Sequence, residues 1–196
     1  NLFDYLTRSQ VTGVLEARDI RSAVLQGMGE IWPDGSWIDN VAIGDAGYHE
    51  VVKRSDVTDG IVPFHKLSQW MSYSLIEPLQ EAGLELKNLD ALTGLAEYRN
   101  GGLFIDTKTI SLRDKTQLEV VHDPKSPLIV EWRALTIVLL DKLADKIRRR
   151  TNTNSESMPL ASILQGGTWS AGRQIAQQLR VNGSPPLILN SRGTIF

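Results

Sequence analysis

The segment from Ser126 to Ile147 constrains the fold more than any other. Between Ala134 and Leu140 only Thr136 is polar, so a helix here is buried on most of its sides. Ser126 as N-cap and Pro127 in the first turn mark where it begins. Lys146, Arg148, Arg149 and Arg150 place cations at its other end, where the helix dipole favours them. The chain therefore reads as mainly α, arranged around this central helix. Glu131 and Arg133 stand near its start, where a charge is costly unless it is paired or used. A structural ion pair, a solvated helix start and a functional role are all open for them.

Other stretches show helical spacing. In Ala17 to Met28 the apolar positions Ile20, Val24 and Met28 recur every four residues, and Thr12 or Gly13 is the expected start. Val62 to Trp70 opens a second helix, with Pro63 in its first turn and Pro78 kinking or ending it. Lys66, Gln69 and Trp70 share one face there. A third helical stretch is Leu92-Thr93-Gly94-Leu95-Ala96-Glu97-Tyr98-Arg99-Asn100, with Asp90 as its cap and Gly101-Gly102 as its end. It puts an acid, a phenol, a guanidinium and an amide on successive residues, which is costly at a buried turn unless something uses them. Small β-hairpins are expected near 103–112 and 186–196, the second turning at Ser191-Arg192-Gly193. His122 is expected at the surface. A short helix over Pro159 to Leu164 and another from Gly166 to Leu179 complete the pattern. Gly166-Gly167-Thr168 at a helix start has the chemistry to bind an anion but lacks the spacing of a phosphate loop.

At 196 residues the chain fits one domain, 1–196. It begins at Asn1 inside an amphipathic pattern, so it is expected to be the C-terminal part of a longer chain. A net charge of −2 argues against a broad nucleic-acid surface. The absence of cysteine excludes disulfides and thiolate metal sites, and fits a reducing, cytoplasmic compartment. No apolar run is long enough to span a membrane. Asp45 and His49 lie four apart and would share a helix face. They read as a hydrogen-bonded structural pair or as part of a glycine-rich loop closing on a ligand, since further metal ligands are lacking nearby.

The available chemistry is thus carboxylate, lysine, arginine, tyrosine and amide. Carboxylates beside cations and aromatics suit hydrolysis at a sugar carbon, which passes through an oxocarbenium-like cation. Lysine and arginine suit a substrate phosphate. From the residues alone this is one site among several.

Four motifs together carry a resemblance: Val62-Pro63-Phe64-His65-Lys66-Leu67-Ser68-Gln69-Trp70, Leu92 to Gly102, Val130-Glu131-Trp132-Arg133-Ala134-Leu135, and Gly166-Gly167-Thr168-Trp169-Ser170-Ala171-Gly172-Arg173. With the ending Gly193-Thr194-Ile195-Phe196, the sequence resembles the uracil catabolism protein 4 family, long described as a domain of unknown function. That family is associated with a pyrimidine breakdown route in which uracil is joined to ribose phosphate, the ring opened and urea released. A second, more distant resemblance is to the queuosine salvage N-glycosidases, which are similar to helix-hairpin-helix DNA glycosylases. They carry Phe-x-Lys-x-x-Gln, Leu-Thr, Asp-Tyr-Arg and Glu-x-Arg in order. This chain has Phe64-His65-Lys66-Leu67-Ser68-Gln69, Leu92-Thr93, Glu97-Tyr98-Arg99 and Glu131-Trp132-Arg133, with Glu97 in place of the aspartate and Asn100-Gly101-Gly102 departing from the pattern.

The resemblance implies a helical domain similar to helix-hairpin-helix glycosylases. It implies an N-ribosidase acting on a ribosylurea phosphate or related ring-opened pyrimidine nucleotide, with no metal or organic cofactor required. Glu97 would stabilise the cation at the sugar carbon or activate water, and Lys66 would bind phosphate or a sugar oxygen and tune Glu97. Glu131 would position a hydroxyl or the leaving group, and Arg133 or Arg99 would pair with Glu131 or the phosphate. Tyr98, Asn100 and Trp70 would line the pocket, with His65, Gln69, Asp45 and His49 nearby. The partner is then a small sugar phosphate, with neither nucleic acid nor membrane. The alternatives are a non-catalytic binding or scaffold subunit of the same route, or an enzyme performing another reaction, such as transfer, on a phosphoribosyl compound.

Overall fold

A computed structural model describes residues 1–8, 13–32 and 34–191. Its helices are α1 (Leu2–Thr7), α2 (Ala17–Met28), α3 (Lys66–Glu81), α4 (Tyr98–Asp106), α5 (Pro127–Thr151), α6 (Leu160–Ile163) and α7 (Trp169–Leu179). Short strands β1 (Val14–Glu16), β2 (Ser36–Ile38), β3 (Val41–Gly44), β4 (Ala46–Tyr48), β5 (Ile61–Pro63), β6 (Glu85–Lys87), β7 (Val121–His122) and β8 (Ile188–Leu189) pair two by two. The fold is mainly helical with small sheets. No helix among the described residues is long and apolar enough to cross a membrane.

The central helix is α5, starting at Ser126 and Pro127 as the sequence signals require. Its residues enter three of the four buried apolar clusters among the described residues. Leu140 and Ala144 pack with Phe104 of α4 and with Leu160 and Ile163 of α6. Ile129 and Trp132 pack with Leu187, and Val130 packs with Phe64 and Ala96. Leu6, Leu15, Ile20, Ala23 and Leu79 form a separate cluster where α1, β1, α2 and α3 meet.

Several expectations are corrected. The helical stretch at Leu92 to Asn100 is displaced. Leu92 to Ala96 run without helix, and α4 begins at Tyr98 and continues through the two glycines to Asp106. The hairpin expected near 103–112 is therefore absent: 103–106 belong to α4 and 107–112 hold no strand. Packing, not a helix stop, explains Gly101. A Cβ there would lie 2.8 Å from Thr136 Oγ1 and 2.9 Å from Trp132 Cε2, so the glycine lets α4 lie directly on α5. Gly102 meets Pro186 in the same way, at 3.1 Å.

The second correction concerns Val62 and Pro63. They belong to β5, antiparallel to β4 with Ala46 opposite Pro63. The helix starts only at Lys66, after His65 takes a left-handed backbone conformation (φ 50°, ψ 41°). It continues through Pro78 to Glu81. Likewise β1 precedes α2, which starts at Ala17 rather than near Thr12 or Gly13, Thr12 itself lying outside the described residues.

At the chain's end, β8 pairs in parallel with β7 instead of turning back on itself, and residues 192–196 of the expected hairpin lie outside the described part. Pro33 of the Pro-Asp-Gly turn does too. His122 is buried, its Nε2 2.7 Å from the Gln117 carbonyl. Asp90 caps α6 rather than α4, accepting from the Leu160 N–H at 2.9 Å and from Arg148 Nη2 at 2.6 Å.

Candidate active site

The site is built where β4, the start of α3, the start of α4 and the first turns of α5 meet. Asp45 stands in the bend between β3 and β4, not on a helix. Its backbone carbonyl accepts from the N–H groups of Phe64 and His65, both at 2.9 Å. Its carboxylate accepts from the Lys66 N–H at 2.9 Å, satisfying a donor at the α3 N-terminus from a distant strand. The same carboxylate takes both ends of Arg133, Nη1 to Oδ1 at 2.8 Å and Nη2 to Oδ2 at 2.7 Å. Arg133 lies over the Phe64 ring at 4.0 Å, and its Nε donates to the Ala96 carbonyl at 3.3 Å. Asp45 and Arg133 thus form a closed, bidentate pair that fixes the backbone just ahead of Glu97. Arg133 is thus structurally paired, and its partner is Asp45 rather than Glu131.

Glu97 is the N-cap of α4. Its Oε1 accepts from the Asn100 N–H at 2.6 Å and its Oε2 from the Arg99 N–H at 3.0 Å. Burial raises its pKa, while those two N–H groups and the charges of Arg99 and Lys66 hold it down. Lys66, in the first turn of α3, is also buried. Burial, followed by the Arg133 charge, pushes its pKa down to about 8, against the attraction of Asp45 and Glu97. Each of the two groups is therefore pushed toward its neutral form by burial and pulled back by the other's charge. Each carboxylate oxygen of Glu97 keeps a second lone pair for a ligand beyond its backbone donor.

Asn100 is fully buried beside Glu97. Its Nδ2 donates to the Leu95 carbonyl at 3.2 Å, and its Oδ1 accepts from Thr168 Oγ1 at 2.8 Å. It lines a cleft of about 410 Å³ with Trp70, Tyr73, Leu95, Gln165 and Trp169. Trp70 is one turn after Lys66 and is 56% exposed there. Gln69, on the same turn, is buried and accepts from the Thr93 N–H at 3.3 Å. His65 is half-buried. Its Nδ1 has no hydrogen-bond partner among the described residues, and burial lowers its pKa.

Four candidates fall elsewhere. Glu131 is on the exposed face of α5, because the Arg133 face of that helix turns inward and residues two apart on a helix point apart. It lines a separate depression with His49, Arg113 and Trp132. His49 follows β4 and receives the Val51 N–H on Nδ1 at 3.2 Å, so it shares no face with Asp45. Tyr98 and Arg99 open onto yet another small cleft, beside α7.

Sequence reasoning missed the roles of Thr168 and Trp169, although both lie in a motif it singled out. Gly166-Gly167-Thr168 lies in a π-helical turn, Leu164–Thr168, that runs directly into α7. It is no free helix start for an anion. The Thr168 hydroxyl instead positions Asn100. Among the described residues no group of three His, Asp or Glu side chains is placed to hold a metal ion.

With this fold and site, the chain belongs to the family described as protein of unknown function DUF1688, whose model matches residues 1–196. Two curated relatives are similar to it. Protein urg3 of Schizosaccharomyces pombe is 41% identical over 169 residues, 85% of this chain and 41% of that protein. Uracil catabolism protein 4 of Lachancea kluyveri is 37% identical over 222 residues, covering 100% of this chain and 50% of that protein. The chain spans about half the length, or less, of these relatives. A queuine tRNA-ribosyltransferase of Pseudomonas syringae is 31% identical over 99 residues, 49% of this chain and 26% of that protein. No solved structure matches the chain.

Proposed function

We propose that this chain carries the reacting centre of an N-ribosidase that splits a ribosylurea phosphate, or a related ring-opened pyrimidine nucleotide, into urea or its analogue and ribose phosphate. The observation that carries the reading is the joint burial of Lys66 and Glu97 within range of each other's charge. Both side chains are buried, each is displaced toward neutrality, and each acts on the other's charge. Such displacement is typical of groups that exchange protons in a reaction. The name of the Lachancea relative and the order of the Lys66, Glu97 and Arg133 motifs support the pathway. The match to an enzyme named for ribosyl transfer supports chemistry at a ribosyl carbon. A fold similar to helix-hairpin-helix glycosylases belongs to the same reading.

In this mechanism the bond from the ribosyl carbon to the urea nitrogen breaks with its electron pair going to nitrogen. Glu97 faces the cation left on the sugar and takes a proton from the attacking water, whose oxygen bonds to the carbon. The Lys66 ammonium gives a proton to the leaving nitrogen. Transfer of the proton from Glu97 back to Lys66 restores both groups. Trp70 and Asn100 line the cleft for the leaving group. Arg133 acts through Ala96 as a positioning residue. The test is incubation of the full-length protein with synthetic ribosylurea phosphate. Equal amounts of urea and ribose phosphate are expected, and intact substrate after prolonged incubation rules the reaction out.

A second reading has its own supporting observation: both Glu97 oxygens already accept backbone N–H groups, so the carboxylate has a structural role as a helix cap. A binding or scaffold subunit, or a transferase, would retain that cap. Glu97→Gln separates them, because the amide oxygen keeps one of the two backbone bonds that cap α4 but neither stabilises a cation well nor takes a proton.

A further inference from the structure

The small cleft beside α4 and α7 has no role in the reading above. Its volume is about 160 Å³, below the roughly 300–1,000 Å³ of a whole small-molecule site, which suits one group of a larger ligand. Arg99, Arg173 and Arg180 all line it, and among the described residues Asp106 is the only carboxylate that does. Asp106 is held by both ends of Arg180, so that pair is neutral. Arg99 and Arg173 have no carboxylate within ion-pair distance among the described residues. Both guanidiniums lie over the Trp169 indole, at 4.7 and 5.9 Å, which fixes their planes and leaves their N–H edges for a ligand.

Their meeting is built into the helix packing. A Cβ on Gly172 would overlap the Arg99 carbonyl, so only glycine lets the two helices approach this closely. The arrangement leaves two uncompensated cations on one indole at the mouth of a small polar cleft. Arg99 also links this cleft to the buried pair. Its N–H binds Glu97 Oε2, and its charge acts on both Glu97 and Lys66.

We propose that Arg99 and Arg173, stacked on Trp169, bind the phosphate monoester of a five-carbon sugar whose first carbon lies toward Glu97. The assignment rests on the ribosidase reading for its orientation, whereas the anion site itself rests on the two arginines. Arg173 is exposed, so Arg173→Gln keeps the fold, and the melting temperature verifies this.

The test is calorimetric binding of ribose 5-phosphate, ribose and inorganic phosphate to the full-length protein and to Arg173→Gln and Arg173→Lys. Ribose 5-phosphate is expected to bind, with ribose at least tenfold weaker. Arg173→Gln is expected to weaken ribose 5-phosphate about tenfold, the loss of one charged hydrogen bond. Arg173→Lys is expected to recover part of that loss. Unchanged affinity in Arg173→Gln, or no binding by the wild-type protein, overturns the site. Equal affinity for inorganic phosphate and ribose 5-phosphate overturns its assignment to a sugar phosphate. Binding that depends on Arg173 in a protein that leaves ribosylurea phosphate intact sinks the ribosidase reading and leaves the anion site standing.

Discussion

Asp45 and Arg133 form a buried ion pair, whereas Lys66 and Glu97 are buried charges that act on each other through their fields, and their surroundings treat the two sets differently. Arg133 meets Asp45 through two parallel hydrogen bonds, rests on Phe64, and spends its remaining Nε on a carbonyl. Asp45 in turn accepts from the backbone of Lys66. A buried pair satisfied in this way holds a fold together, and breaking it leaves a buried charge with no answer. Lys66 and Glu97 are held against their electrostatic interest, the lysine with its pKa down to about 8 and the glutamate with its pKa raised. Polar groups kept at a cost to stability usually mark a site that does something else with them. The comparison teaches that burial of charge alone does not identify a catalytic group; a bidentate partner, as at Arg133, is distinguished from a displacement toward neutrality, as at Lys66.

The largest expected effect tests the closed pair. Asp45→Asn removes the charge facing Arg133 and is expected to cost about 3–5 kcal/mol of stability in urea denaturation. A cost under about 1 kcal/mol would mean that the pair is not the clamp described here.

The next effect has the opposite sign. Lys66 binds its proton less tightly in the folded chain, with a pKa of about 8, than at its ordinary value of 10.5. Across that window the unfolded chain holds the proton more often, so stability rises with pH, and the cost of the buried cation is fully present below the folded value. Lys66→Met removes that cost. It is expected to be more stable than the wild type at pH 7, on the order of 2 kcal/mol, with the gap closing between about pH 8 and 10.5. Equal stability at every pH would erase the distinction between the two pairs. In the same window the wild-type rate is expected to fall, since the proposed mechanism uses the Lys66 proton.

The smallest stability effect belongs to Trp70. It is 56% exposed, so Trp70→Ala is expected to change stability by within about 1 kcal/mol while raising KM for the ribosylurea substrate severalfold. A KM left unchanged would take the Trp70 cleft out of the account.

Much of the helical framework was legible in the sequence, and the reasons are local. The start of α5 is written in Ser126-Pro127, and the span of α2 in the spacing of Ile20 and Val24. What the sequence hid was set by packing between distant segments. Gly101 looks like a helix stop until Trp132 and Thr136 are seen pressing against it. Pro63 suits a helix start as well as a strand, and only pairing with Ala46 decides. Among the site residues, Lys66 and Glu97 are both buried and each acts on the other's charge. Glu131 does not join them, because Arg133, two residues on, is drawn inward by Asp45, a partner 88 residues away that no local pattern reveals.

The account stands or falls most directly on Glu97→Gln, followed on one sample by single-turnover urea release from ribosylurea phosphate and by thermal melting. The variant is expected to stay folded with a lowered melting temperature, because the amide oxygen keeps one of the two backbone bonds that cap α4, while its rate falls at least about a hundredfold. Wild-type turnover in a well-folded Glu97→Gln protein would show that this carboxylate only caps a helix.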